Sequence, residues 1–288
     1  MNGSLNNNEK RKPLSWESQR SKKLLKSSEA VGSYQKEWFK KLKERINAGE
    51  PFAICNADEA EEIFLAMDIP VVVKQWWSAV ISAKRLSPYY FDLLEQRGYD
   101  LCRYCVLGLG CAMDNNPERA PWGGLPKASV IIGSTDCDAG LRISEVWARQ
   151  DNSFLFPIEQ TSQTKPYHKW WERIRDHWDE VIEPHRIDLR VEELKALIRF
   201  LEVTTGRTLN HSRLAHVMNL VNEQNDYYTK VRDLIAQTVP APVTLPDQLA
   251  NYPAQWQRGT EDGVRLTKMF YEEVKEKVQK HLMSYFCL

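Results

Sequence analysis

Four of the chain's six cysteines fall between residues 102 and 137. Three sit in one short run, Asp100-Leu-Cys-Arg-Tyr-Cys-Val-Leu-Gly-Leu-Gly-Cys111, and Cys137 follows an apolar stretch in Ala128-Ser-Val-Ile-Ile-Gly-Ser-Thr-Asp-Cys137-Asp. Thiolates gathered around one point suit a soft metal or an iron–sulfur cluster better than they suit packing alone. The alternative on the residues themselves is burial, because a free cysteine behaves as a small hydrophobe. A zinc site on Cys102, Cys105, Cys111 and Cys137 is a further reading, although a zinc knuckle normally carries a second close pair, which Cys111 and Cys137 do not make. Spacing alone leaves these readings open.

The elements that must position these thiols begin near residue 33. Trp38, Phe39 and Leu42 share one side of a helix expected over 33–48, ended by Gly49 and Pro51. The apolar run 52–55, an acidic helix over 58–67 and the β-branched run 69–73 form strand, helix and strand, which means a parallel βαβ unit. Two helices follow over 76–85 and 89–97, broken at Pro88 and ended by Gly98. The clearest strand is 128–133. It leads through Cys137 into a helix at 139–149, with another short strand at 154–156. In open parallel sheets ligands gather beyond the carboxyl ends of strands, so Cys137 should face such a crevice, at a helix start that favours thiolate. Beyond residue 165 the pattern is helical, with Trp170, Trp171, Ile174 and Trp178 on a helix over 165–182 and a last helix over 261–281. The expected organisation is a polar arm (1–32), an α/β domain (33–160) and a helical domain (161–288).

Composition narrows the classes of function. Lys plus Arg and Asp plus Glu balance at 39 each, giving no electrostatic case for nucleic acid or an anionic membrane surface. No apolar run approaches a bilayer span, and residues 1–12 lack the apolar core of a secretory signal. A cytoplasmic, reducing compartment is expected, where clustered cysteines are metal-binding or catalytic rather than disulfide-bonded. Most of the ten tryptophans are expected in the core or at helix contacts.

Three segments carry a family likeness. Phe52-Ala-Ile-Cys-Asn-Ala-Asp-Glu-Ala-Glu-Glu-Ile-Phe-Leu-Ala-Met-Asp-Ile-Pro-Val71 resembles the opening strand and helix of the 2-hydroxyacyl-CoA dehydratase and benzoyl-CoA reductase family. Tyr99-Asp-Leu-Cys102-Arg-Tyr104 resembles its first cluster-ligand segment, and Thr135-Asp-Cys137-Asp its second. The likeness spans about residues 50–283, its motifs specific in combination rather than singly. It implies a flavodoxin-like α/β domain followed by a helical segment, holding part of a 4Fe-4S cluster. It also implies a second related subunit, an ATP-hydrolysing activator that delivers one electron, and an acyl-CoA substrate. In the dehydratases a ketyl radical expels the hydroxyl; in the reductases an aromatic ring is reduced. The chain carries no Walker-type Gly-Lys-Ser/Thr, which fits ATP belonging to the activator.

Carried over by position, Cys102 and Cys137 are cluster ligands. Cys105 takes the place of Cys102 if the register is off by one turn, Cys111 is a bystander, and Cys55 matches a cysteine that reads as structural. Family subunits continue into a second α/β domain that brings a third ligand, whereas this chain stops at Phe286-Cys287-Leu288, and Cys287 sits too early for that role. Either a separate polypeptide supplies the missing half, or the chain is a non-catalytic truncated paralogue serving as an interaction subunit. Glu59, Glu61 and Glu62 lie after the first strand and read as a solvated helix face rather than as acid/base groups. His168, His177, His185, His211, His216 and His281 lack metal spacing. Trp122-Gly-Gly124 could cover an acyl-CoA thioester, or be a turn. The sequence assigns no catalytic residue.

Overall fold

The computed structural model describes residues 25–57, 59–160 and 167–280. The first 24 residues of the expected arm, Asp58, residue 165 at the expected helix start, His281 and Cys287 lie outside them. Helix α1 (Lys26–Asn47) precedes strand β1 (Ala53–Cys55), helix α2 (Glu61–Ala66) and strand β2 (Val71–Val73). Helices α3 (Lys74–Ala83), α4 (Ser87–Gln96) and α5 (Leu107–Asp114) lead to β3 (Val130–Ser134), α6 (Asp138–Asp151) and β4 (Phe154–Ile158). The four strands pair in the order β2-β1-β3-β4, all parallel. That is the flavodoxin-like order, and its switch point lies between β1 and β3. Right-handed crossovers then place α2 on one face and α3, α5 and α6 on the other. α5 packs on both α3 and α6, and α2 packs on α10 below.

Short β-branched strands explain the sheet: Ile54, Val72, Val73, Val130, Ile131 and Ile132 are all buried, as strands covered on both faces require. Pro88 does not break a helix. It sits in the first turn of α4, where its missing N–H costs nothing.

The glycine-rich stretch of α5 is a packing device. A Cβ on Gly108 would stand 2.5 Å from the Trp147 ring, and one on Gly110 2.9 Å from Leu94. The backbone of α5 therefore lies directly on α6 and α4, which fixes the cysteine turn just before it. Gly108→Ala should cost about 1–3 kcal/mol, the usual range for overpacking. A chemical denaturation midpoint unchanged from wild type would contradict this.

The helical segment runs through α7 (Trp170–Arg173), α8 (Trp178–Val181), α9 (Pro184–Thr205), α10 (His211–Gln237), α11 (Leu245–Asn251) and α12 (Glu261–Gln279). Asn210 and Thr260 cap α10 and α12, accepting from Arg213 N–H at 2.9 Å and Gly263 N–H at 3.0 Å. α9 packs on β4, and α10 packs on α12. Where one helix was expected over 165–182, two four-residue helices stand at its described end. Residues 174–177 separate them, and Lys169 adopts left-handed backbone (φ 54°). Trp170, Trp171 and Trp178 are exposed there, whereas Trp38, Trp76, Trp77, Trp122, Trp147 and Trp256 lie in or against the core, as expected of most tryptophans. Among the described residues no helix is long and apolar enough to cross a membrane.

Helix α1 begins at Lys26 rather than near residue 33. Its first N–H groups are satisfied from far along the chain: Leu25 N–H by Asp247 Oδ1 (3.1 Å), Lys26 N–H by Glu273 Oε1 (2.9 Å) and Ser27 N–H by Glu273 Oε2 (3.0 Å). Remote carboxylates thus do the work of a local cap.

Candidate functional site

The carboxyl ends of β1 and β3 open the crevice expected at the switch point. β1 ends at Cys55 and hands over to Asn56; β3 ends at Ser134, three residues before Cys137. Cys137 is the residue before α6 and is exposed. Across the crevice, Cys105 N–H and Val106 N–H both donate to the Cys102 carbonyl at 3.1 Å, winding residues 102–105 into a tight turn ahead of α5. Cys102 is exposed and Cys105 half-buried. Cys105 lies close enough to Cys102 and Cys137 to feel the charge of each. Burial first, then the charge of Cys102, pushes the Cys105 thiol up to about 11, with Cys137 adding to the rise and Lys74 opposing it.

Beneath these thiols lies a buried ionic group that sequence reasoning missed. Lys74 is the first residue of α3 and has no exposed surface. Its Nζ donates to Ser144 Oγ at 2.5 Å, and Ser144 donates onward to the Gly140 carbonyl at 2.9 Å. Gly133 lets α6 approach β3 here, since a Cβ would stand 3.0 Å from that of Ser144. Burial holds the Lys74 ammonium below its ordinary range, against the pull of Glu59, Cys55, Cys105 and Asp136. A cation at a helix N-terminus also opposes the helix dipole. Lys74 is therefore costly twice over.

Glu59 is a second buried charged group, and its field draws on Lys74 more than that of Cys55, Cys105 or Asp136. Glu59 is 1% exposed and accepts from Asn56 N–H at 2.9 Å and Asn56 Nδ2 at 2.6 Å. Burial raises its carboxyl above the usual range, while Asn56, Lys74 and the Ser134 hydroxyl draw it down. The reading of Glu59, Glu61 and Glu62 as a solvated helix face is thus wrong for the first two. Glu61 is also buried, bonded to Arg258 at 2.9 Å, and Glu62 stands 3.3 Å from the same guanidinium. These carboxylates face inward because α10 and the segment before α12 cover α2, which composition alone does not reveal. The signal for Lys74 was a lysine directly after three valines and before two tryptophans, a position with no route to water.

Residues 59–284 match the family model described as 2-hydroxyglutaryl-CoA dehydratase, D-component. The chain belongs to this family. A search of curated proteins found no match. The dehydratase D-component family links the chain to an enzyme, and the designation as a component implies a partner subunit.

Within this dehydratase-family chain the structure sorts the sequence-derived candidates. Cys137 stands exposed just past β3, and Cys102 and Cys105 lie on the turn ahead of α5. Cys55 is fully buried in β1, its thiol raised well above the ordinary range by burial. Cys111 is buried on α5, raised by burial and facing Tyr90 and Trp77. No group of three Cys, His, Asp or Glu side chains among the described residues stands ready to hold a single ion, so the zinc constellation is not assembled. Thiol donors have the chemistry that an iron–sulfur centre takes. Thiols that bind different irons of one cluster must stand apart from each other, and soft thiol donors beside a buried ammonium suit an anionic iron–sulfur centre. Trp122-Gly-Gly124 lies elsewhere: Trp122 packs on Phe39 and Trp76, and Lys43 donates to its carbonyl at 3.2 Å. Gly123 and Gly124 line a cleft with Lys127, Gln150 and Asp151, at the amino ends of β3 and β4, so the segment does not cover this crevice. The described histidines 168, 177, 185, 211 and 216 are exposed.

Proposed function

We propose that the chain is the D-component-type subunit of a 2-hydroxyacyl-CoA dehydratase and that Cys102 and Cys137 bind a 4Fe-4S cluster in the β1/β3 crevice. What supports this reading is an exposed thiol, Cys137, just past the end of β3 at the switch point of the sheet, in a chain that matches a dehydratase component. When bound, the cluster would supply single electrons at low potential for radical elimination of the hydroxyl from an acyl-CoA thioester. Dehydration is favoured over aromatic ring reduction by the family model's description.

The chain's own residues would do three things. Cys102, in the turn ahead of α5, and Cys137, ahead of α6, anchor the group from two rigid elements. Buried Lys74 sets a fixed positive charge below it, held by Ser144 and balanced by Glu59. Apolar β1 and β3 exclude water from the crevice floor. In this account the second subunit supplies protein donors for the remaining coordination, and a separate ATP-hydrolysing activator delivers the electron. Exposed free thiols at Cys102 and Cys137 suit a reducing cytoplasm.

The test is turnover of a 2-hydroxyacyl-CoA to the enoyl-CoA under anaerobic conditions. The chain is assayed with its co-expressed second subunit, the activator, ATP and a reductant. Activity that disappears in Cys137→Ala, with the complex still assembled, is the expected result. Full activity in Cys137→Ala would reject Cys137 as a ligand.

A further inference from the structure

We infer that the cavity between α10 and the segment before α12 binds a nucleoside phosphate, with Arg232 as the partner of the phosphate and aromatic rings as walls for the base. The inference stands on that cavity and goes beyond the iron–sulfur reading. Asn225, Tyr228, Thr229 and Arg232 line it from positions i, i+3, i+4 and i+7 of α10, so helical spacing brings them to one face. Packing does not need that face, because Val217, Leu220, Val221 and Val231 already bury α10. The rest of the lining comes from the short 3-10 helix Tyr252–Gln257, through Tyr252, Gln255 and Trp256, and from Arg258 directly after it. The cavity measures about 630 Å³, inside the range of about 300–1,000 Å³ usual for small-molecule sites.

Charge and hydrogen bonding select the ligand. Two guanidiniums line the cavity and no carboxylate does. Arg258 is held from behind by Glu61 at 2.9 Å and Glu62 at 3.3 Å. Arg232 is exposed and makes no ion pair among the described residues, which leaves its planar fork for the paired bonds that a phosphate accepts. Gln255 Nε2 is buried with no hydrogen-bond partner among the described residues, a donor that a ligand oxygen or ring nitrogen would satisfy. Tyr252 and Trp256 stand edge to face with centroids 5.0 Å apart, and Tyr228 is half-buried on the facing helix. A small inorganic anion would need none of these rings, whereas a base takes ring faces beside a cation. The Arg258–Glu61 pair also fixes where the cavity lies. Glu61 opens α2, which the chain enters from the carboxyl end of β1, so the cavity is on the same side of the sheet as the crevice, where ligands of parallel sheets gather.

The experiment is isothermal titration of the full chain, alone and with its second subunit, using ADP, coenzyme A and pyrophosphate as probes. ADP and coenzyme A should bind, and Arg232→Gln should weaken both by about 10–100-fold, the range for losing a hydrogen bond to a charged group, while circular dichroism stays native. Tyr252→Ala should weaken ADP by a comparable factor, as loss of a stacked base does, and leave pyrophosphate binding as in wild type. Coenzyme A binding more tightly than ADP would identify the ligand as the carrier end of a thioester, and coenzyme A binding no more tightly would identify it as a free nucleotide. No binding of either probe, or wild-type affinities in folded Arg232→Gln, would overturn the site. Iron and sulfide are measured separately on the same preparations, so this inference and the iron–sulfur reading fail independently.

Discussion

Lys74→Met should destabilise the fold by about 3–5 kcal/mol, the range for stranding one partner of a buried charge pair. Glu59 would keep its two bonds from Asn56 but lose the Lys74 charge that draws its carboxyl down. Glu59→Gln in the same chain should recover much of the loss, because replacing both charges by neutral groups is often neutral or stabilising. The pH dependence has a defined sign. A carboxyl raised in the folded state contributes stability fully present below its unfolded value, lost as pH rises through its folded value. Denaturation of Lys74→Met should therefore be mildest under acid conditions and most severe above the folded value of Glu59. A pH-independent deficit, or no recovery in the double variant, would contradict a charge pair.

Trp77→Ala should cost a similar amount, about 3–5 kcal/mol for a fully buried large aromatic. Trp77 has no exposed surface, stacks on Phe39 at 5.4 Å with the rings 12° apart, and lies 3.2 Å from where a Cβ on Gly108 would stand. It therefore ties α1, α3 and α5 into one body. Trp171→Ala removes a tryptophan that is 62% exposed and should stay within about 0.5 kcal/mol of wild type. Equal midpoint shifts for the two variants in a urea titration would show that Trp77 is not a core residue.

The strands of the sheet were legible because β-branched runs and short apolar segments have no other comfortable state. The crevice followed from parallel order alone, and with it the place of Cys137 between β3 and α6. The sequence was silent on contacts made across long separations. α1 starts early because Asp247 and Glu273 satisfy its first N–H groups, and no local signal announces a cap that arrives from the far end of the chain. Glu59 and Glu61 looked like a wet face for the same reason: the cover comes from Arg258 and the helices near it. Lys74 was hidden by habit, since lysine is so rarely buried. The tryptophans of 170–178 erred the other way, with aromatic spacing on a segment that breaks into two short helices.

The central claim is that thiols of this chain hold an iron–sulfur cluster at the β1/β3 crevice. The most direct measurement is the iron and acid-labile sulfide content of the anaerobically purified protein, with and without its second subunit. The account predicts iron and sulfide in equal amounts, both lost in Cys102→Ala and in Cys137→Ala. Neither iron nor sulfide in any preparation, or equal amounts retained in both variants, would contradict it.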